Sequence, residues 1–91
     1  MVVILYVVIV YDVGVERVNK IRIYLKQYLN WVQNSVFEGE LTEPEYMKIT
    51  SHLKEITDES LDHVICYKSR DKRYLDTDEI GTRKAEISTI I

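Results

Sequence analysis

Apolar side chains open this chain almost without interruption. Residues 2–11 read VVILYVVIVY, nearly all of them β-branched, Leu or Tyr, which is the composition of a strand covered on both faces and so placed centrally in a sheet. Asp12 ends the run, and Gly14, in the following Asp12-Val13-Gly14-Val15, permits a tight strand-to-helix turn. Over residues 16–29 the period changes. Val18, Ile21, Leu25 and Tyr28 recur at three and four residues while Arg17, Lys20, Lys26 and Gln27 fall largely elsewhere, and this predicts an amphipathic helix. Residues 31–33 and 35–41 are short, β-rich runs joined by Asn34, which predict two strands or one bent hairpin. Thr42 and Glu45 then form a T-x-x-E capping box with Pro44 in the first turn, and Tyr46, Ile49, Leu53 and Ile56 supply the stripe of a second helix. Residues 62–67 are a further strand candidate. Residues 68–73, KSRDKR, are too polar for a core and predict an exposed loop. The tail, 85–91, carries Ile87, Ile90 and Ile91, which need a partner surface because apolar area left in water costs roughly 25 cal/mol per Å².

The order β, α, β, β, α, β predicts an α+β sandwich of the ferredoxin-like type with an added C-terminal strand. Residues 1–91 form a single domain on this reading, with a core over about 1–69 and an extension over about 70–91. Two helices on one face of a four-stranded sheet leave the other face bare. If Tyr6, Val8 and Phe37 or their neighbours line that face, a second protomer covers it, with its terminal strand crossing over, and the protein is a homodimer.

Composition changes this picture little. With 46% hydrophobic and 30% charged residues in 91, the chain is an ordinary packed domain that needs no metal or disulfide to fold. Cys66 has no second thiol to pair with, which excludes an internal disulfide, suits a reducing, cytoplasmic setting and makes it core filler. The opening apolar run lacks a basic start and a small-residue cleavage pattern and is shorter than the roughly 20 residues of a membrane helix. It predicts a buried strand and no membrane association. The net charge of -3 offers no global attraction to phosphate, so nucleic-acid binding has to come from a local patch or a metal ion.

Asp12 is the leading candidate for chemistry, since a carboxylate directly after an apolar strand is held at the sheet edge by rigid backbone. From spacing alone, the same position suits a helix cap or an Asx turn better still. One carboxylate is a poor metal cage, but magnesium keeps several waters and uses one or two carboxylates plus substrate phosphates, so two Asp12 side chains meeting across a dimer axis suffice. Arg17, Lys20 and Arg22 follow closely and are candidates for phosphate contact or for a solvated helix face. Lys68, Arg70, Lys72 and Arg73, beside Tyr74, form the densest basic run, a backbone clamp or a plain loop diluted by Asp71, Asp76, Asp78 and Glu79. Asp62, His52 and His63 show no zinc-ligand spacing. His52, among Ser51, Lys54 and Glu55, reads as a solvated surface histidine, and His63 as ambiguous. Gly14 stands alone, without the glycine pattern of a phosphate loop.

Tyr6-Val7-Val8-Ile9-Val10-Tyr11-Asp12, followed by Val32-Gln33-Asn34-Ser35-Val36-Phe37-Glu38-Gly39, resembles the small CRISPR-associated adaptation proteins of the Cas2 family. With Arg17, Lys20-Ile21 and the strand over 62–67, the resemblance covers about the first seventy residues in order. It implies a homodimer of ferredoxin-like protomers whose two Asp12 residues face one another and share a divalent metal, Mg2+ or Mn2+. It also implies an endonuclease on single-stranded RNA or double-stranded DNA that takes part in spacer acquisition in antiviral defence, alongside an integrase subunit. Ser35 matches as a substrate-contacting or structural hydrogen-bonding residue, and Phe37 as dimer or core packing. The chain departs from the family pattern where further acidic residues and an arginine pair are usual. Gly14-Val15-Glu16 and Arg17-Val18 stand there instead, so Arg17 is the nearest match for phosphate contact. The rival reading is an architectural dimer that holds DNA while the integrase performs the chemistry.

Overall fold

The structure, a computed structural model, describes residues 3–71. The opening run becomes β1 (Ile4–Asp12), and its burial alternates strictly along the strand. Leu5, Val7, Ile9 and Tyr11 are buried, whereas Ile4 and Asp12 are exposed and Tyr6, Val8 and Val10 are half-buried. Such a period of two means that one face of the strand meets the core and the other does not. The strand is central, as expected, because β3 (Val36–Thr42) and β4 (His63–Ser69) flank it in antiparallel ladders. The expectation that both of its faces are covered is corrected for the single protomer, in which the two helices pack on one side only.

α1 (Val15–Leu25), β2 (Asn30–Gln33) and α2 (Glu43–Ile56) complete a sheet of order β2-β3-β1-β4 with the ferredoxin-like connection βαββαβ. Ile21 and Leu25 of α1 and Ile49 and Leu53 of α2 close over Val7, Ile9, Phe37 and Leu41. Phe37 is fully buried in that layer, opposite Ile9 and stacked on Tyr11 with ring centroids 6.1 Å apart. It packs the core and does not line the open face. The open face carries instead Tyr6, Val8 and Val10, with Glu40, Glu38 and Val36 opposite them on β3 and Ser69, Tyr67 and Ile65 opposite them on β4.

Two boundaries differ from the sequence pattern, and two local signals hold. α1 stops at Leu25, and residues 26–28 turn so that Leu29 still reaches the core. Asn34 joins β2 to β3 with φ 41°, a left-handed conformation that asparagine tolerates better than most residues. The capping box is present in full, Thr42 Oγ1 accepting from the Glu45 N–H and the Glu45 carboxylate accepting from the Thr42 N–H at 2.8 Å. β4 runs to Ser69, so the loop expected from residue 68 begins later. Lys68 lies in the strand with its ammonium 4.6 Å from the centre of the Tyr46 ring, a placement open to a long side chain whose stem packs while its head stays wet. Lys72, Arg73, Tyr74 and the 85–91 tail fall outside the described residues. Among those described, no helix is long and apolar enough to cross a membrane.

Candidate functional site

Asp12 is the last residue of β1 and is exposed at the end of the open sheet face. Its direct partner across the β1–β4 ladder is His63, the first residue of β4, also exposed. On the other side, the Tyr11 N–H donates to the Ser35 carbonyl at 3.1 Å, which holds the β2–β3 turn against the same end of β1. Val10, flanked by Val36 and Ile65, forms the apolar floor next to the carboxylate. Asp12 is not the α1 cap: Gly14 holds that position, and no side chain bonds the first turn there.

What stiffens this end of the molecule is a carboxylate the sequence pattern does not single out. The Asp62 side chain is only 1% exposed, and a buried carboxylate must be paired and hydrogen-bonded to remain charged. It accepts from Arg17 Nε at 2.5 Å and Arg17 Nη2 at 2.8 Å, from the Gly14 N–H at 2.9 Å and from the Asp58 N–H at 2.8 Å. The guanidinium, first, and the two backbone donors hold the Asp62 carboxyl well below the usual carboxylate range, and the same bond raises Arg17. The β1–α1 and α2–β4 loops are thereby tied to each other beneath Asp12 and His63. A Cβ on Gly14 would stand 2.5 Å from Arg17 Nη2, so a side chain there would push on the guanidinium where it meets Asp62.

Arg17 therefore has a structural task that the phosphate expectation did not include. Its third nitrogen, Nη1, meets Glu16 Oε1 at 2.9 Å. Lys20 projects from α1 as an exposed cation. Arg22 turns to the far side of the helix, where it donates to the Asn19 side chain and, together with Lys26, lies over the Trp31 ring at 5.2 and 4.6 Å. Arg70 is exposed, 3.9 Å from Glu43. His52 packs against the Tyr24 ring, 4.2 Å between centroids, with Glu55 at 3.6 Å. Cys66, opposite Ile9, faces the helices and is partly buried, and burial pushes its thiol up.

Among the described residues of one protomer, no three His, Cys, Asp or Glu side chains gather as a metal cage. The donors at the sheet end are one carboxylate and one imidazole. An exposed carboxylate with no capping duty fits a hydrated divalent ion that takes one or two carboxylates and substrate phosphates, provided that a second copy supplies the matching group.

Residues 5–77 match the family model described as CRISPR associated protein Cas2. The chain belongs to the Cas2 family. The CRISPR-associated endoribonuclease Cas2 of Methanosarcina acetivorans is 64% identical to it over 87 residues, covering 96% of this chain and 100% of that protein. The protein of the same name from Pyrococcus furiosus is 53% identical over 87 residues, with 96% and 100% covered. A crystal structure of cas2 superposes with a TM-score of 0.79 at 44% identity, over 89% of this chain and 91% of the other. The crystal structure of Streptococcus pyogenes Cas2 at pH 6.5 gives 0.67 at 30% identity, over 81% and 99%. The match to the Cas2 model begins inside β1 and runs past β4, so it includes both strands that bring Asp12 and His63 side by side.

Proposed function

We propose that this Cas2 protein is a CRISPR-associated, metal-dependent endonuclease, working as a homodimer during spacer acquisition in antiviral defence. The observation that carries the reading is the placement of Asp12, an exposed carboxylate fixed at the end of the central strand on the uncovered face of the sheet. A second protomer laid on that face hides Tyr6, Val8, Val10, Ile65 and Tyr67 from water and brings two such carboxylates to one axis.

The two Asp12 carboxylates hold Mg2+ or Mn2+. When bound, the ion supplies Lewis acidity at the phosphodiester and an activated water for in-line attack. The protein's part is positional. β1, hydrogen-bonded on both edges, fixes the Asp12 backbone, and the Asp62 anchor fixes the loops around it. Lys20 and Arg70, with Lys72 and Arg73 further along the chain, steer and hold the backbone of single-stranded RNA or double-stranded DNA through their positive charge. Ser35, at the same end of the sheet as Asp12, supplies a hydroxyl within the substrate's approach. The integrase subunit is the protein partner, and the cytoplasm is the setting.

The engagement of Arg17 by Asp62 favours a second reading, in which the dimer is architectural and holds protospacer DNA for the integrase without cutting it. The two readings separate on one experiment. End-labelled single-stranded RNA and duplex DNA are incubated with the protein and with Asp12→Ala, in Mg2+, in Mn2+ and in chelator. Cleavage that disappears in both the variant and the chelated sample supports the nuclease. Absence of cleavage, or equal cleavage by Asp12→Ala, leaves the architectural dimer.

A further inference from the structure

We infer that His63 is a second donor to the cation held at Asp12, so that each protomer offers an oxygen and a nitrogen from neighbouring strands. The inference rests on the Asp12 reading given above. Asp12 and His63 are direct partners in an antiparallel ladder, and such partners project from the same face with Cβ atoms about 5 Å apart. The pair is the last of the β1–β4 register, so the ladder does not continue past the two side chains. Both are exposed, and both have the reach to turn toward a common ion in front of Val10 and Ile65.

Two devices fix the donors. The Asp12 backbone belongs to the centre strand, while His63 follows directly on Asp62, whose buried carboxylate takes hydrogen bonds from Gly14, Arg17 and Asp58. The start of β4 is therefore pinned to the same loop that follows Asp12. His52 has neither property. It lies on α2 against Tyr24 and Glu55, in the helix layer on the other side of the sheet.

An imidazole changes which ions the site prefers. Magnesium binds oxygen ligands almost to the exclusion of nitrogen, whereas first-row divalent metals accept imidazole, manganese the most weakly of the series. A dimer with two Asp12 and two His63 side chains at one axis would favour manganese over magnesium, and removing the imidazole would reduce that preference by about tenfold or more, the loss seen for groups that support a metal site.

The test uses the full chain with Mn2+ as the probe. Binding is titrated from the free-ion electron-paramagnetic-resonance signal, and ligation is read from nitrogen modulation of the bound ion, in the wild type, His63→Ala, His63→Asn and Asp12→Ala. The expected result is nitrogen modulation in the wild type that is lost in both His63 variants, with Mn2+ affinity reduced about tenfold or more while Mg2+ affinity, measured by competition, changes less. Binding that depends on Asp12 but shows no His63-dependent modulation overturns the role of His63 and leaves the Asp12 reading standing. Binding that is absent, or indifferent to Asp12→Ala, overturns the Asp12 reading and His63 with it. The asparagine variant, at an exposed strand start that accepts polar residues, stands in if the alanine variant does not fold.

Discussion

Four hydrogen bonds converge on Asp62, and all of them are strongest while its carboxylate is charged. An unfolded aspartate titrates near 3.9, roughly, and here the folded value lies well below that. Protons therefore bind the unfolded chain more readily in the acid range. The stability this group contributes is complete above about pH 5 and drains away as pH falls through the unfolded value toward the folded one. Thermal melts of the wild type should drop steeply between about pH 5 and pH 3, whereas Asp62→Asn should melt lower at pH 7 and change less over that acid interval. A slope that is the same in both proteins would place the acid sensitivity elsewhere. Arg17 and Lys20, three residues apart, should separate by the same measurement. Arg17→Ala leaves a buried carboxylate unpaired and should lower the melting temperature sharply. Lys20→Ala should leave it within error while weakening nucleic-acid binding and reducing the salt slope by about one. Asp12 was legible in the sequence because it interrupts an apolar strand, a purely local signal. The Asp62–Arg17 contact was not, because its partners are 45 residues apart and spacing arguments reach only one turn or one hairpin.

At the level of elements, the pattern was most informative where a local hydrogen bond encodes it. Thr42 and Glu45 announce α2 through a capping box that the fold keeps, and Thr42→Ala should cost about 1 kcal/mol of unfolding free energy, seen as a shift in denaturant midpoint without a change in slope. Asn34 marks the β2–β3 turn because it accepts φ 41°. The pattern was least informative where apolar residues serve a turn. Tyr28 and Leu29 prolong the helical stripe, yet the helix has already ended, and Leu29 reaches the core from residues that no longer belong to α1. Lys68 misled in the opposite sense, its charge suggesting a loop where its stem and the Tyr46 ring sustain a strand. Phe37 lay within a run whose alternation could be read on either face. Register with Ile9 decides it, and Phe37→Ala should cost about 3–5 kcal/mol because it empties a fully buried ring site between the sheet and the helices.

For the whole molecule, the unbroken apolar character of β1 exceeds what one protomer uses. Tyr6, Val8 and Val10 face away from both helices, with Val36 and Ile65 flanking Val10, Glu38 and Tyr67 flanking Val8, and Glu40 and Ser69 flanking Tyr6. A second copy against that face, as in the proposed function, would account for this composition. Val8→Lys, placing a charge at its centre, should yield monomers in analytical ultracentrifugation that keep the wild-type circular dichroism spectrum. On the proposed function the active unit is a pair of Asp12 residues, and this can be tested without disturbing the interface. Wild type and Asp12→Ala, refolded together in equal amounts, would assort into three dimers, with both carboxylates present in about a quarter of them. If the cation needs two carboxylates, cleavage by the mixture should fall to about a quarter of that of wild type at the same total dimer concentration. If each protomer cuts alone, it should fall only to half. A shared site also predicts that the residual activity follows the square of the wild-type fraction as the mixing ratio is varied, a curvature that independent sites cannot produce and that dilution of active enzyme does not imitate.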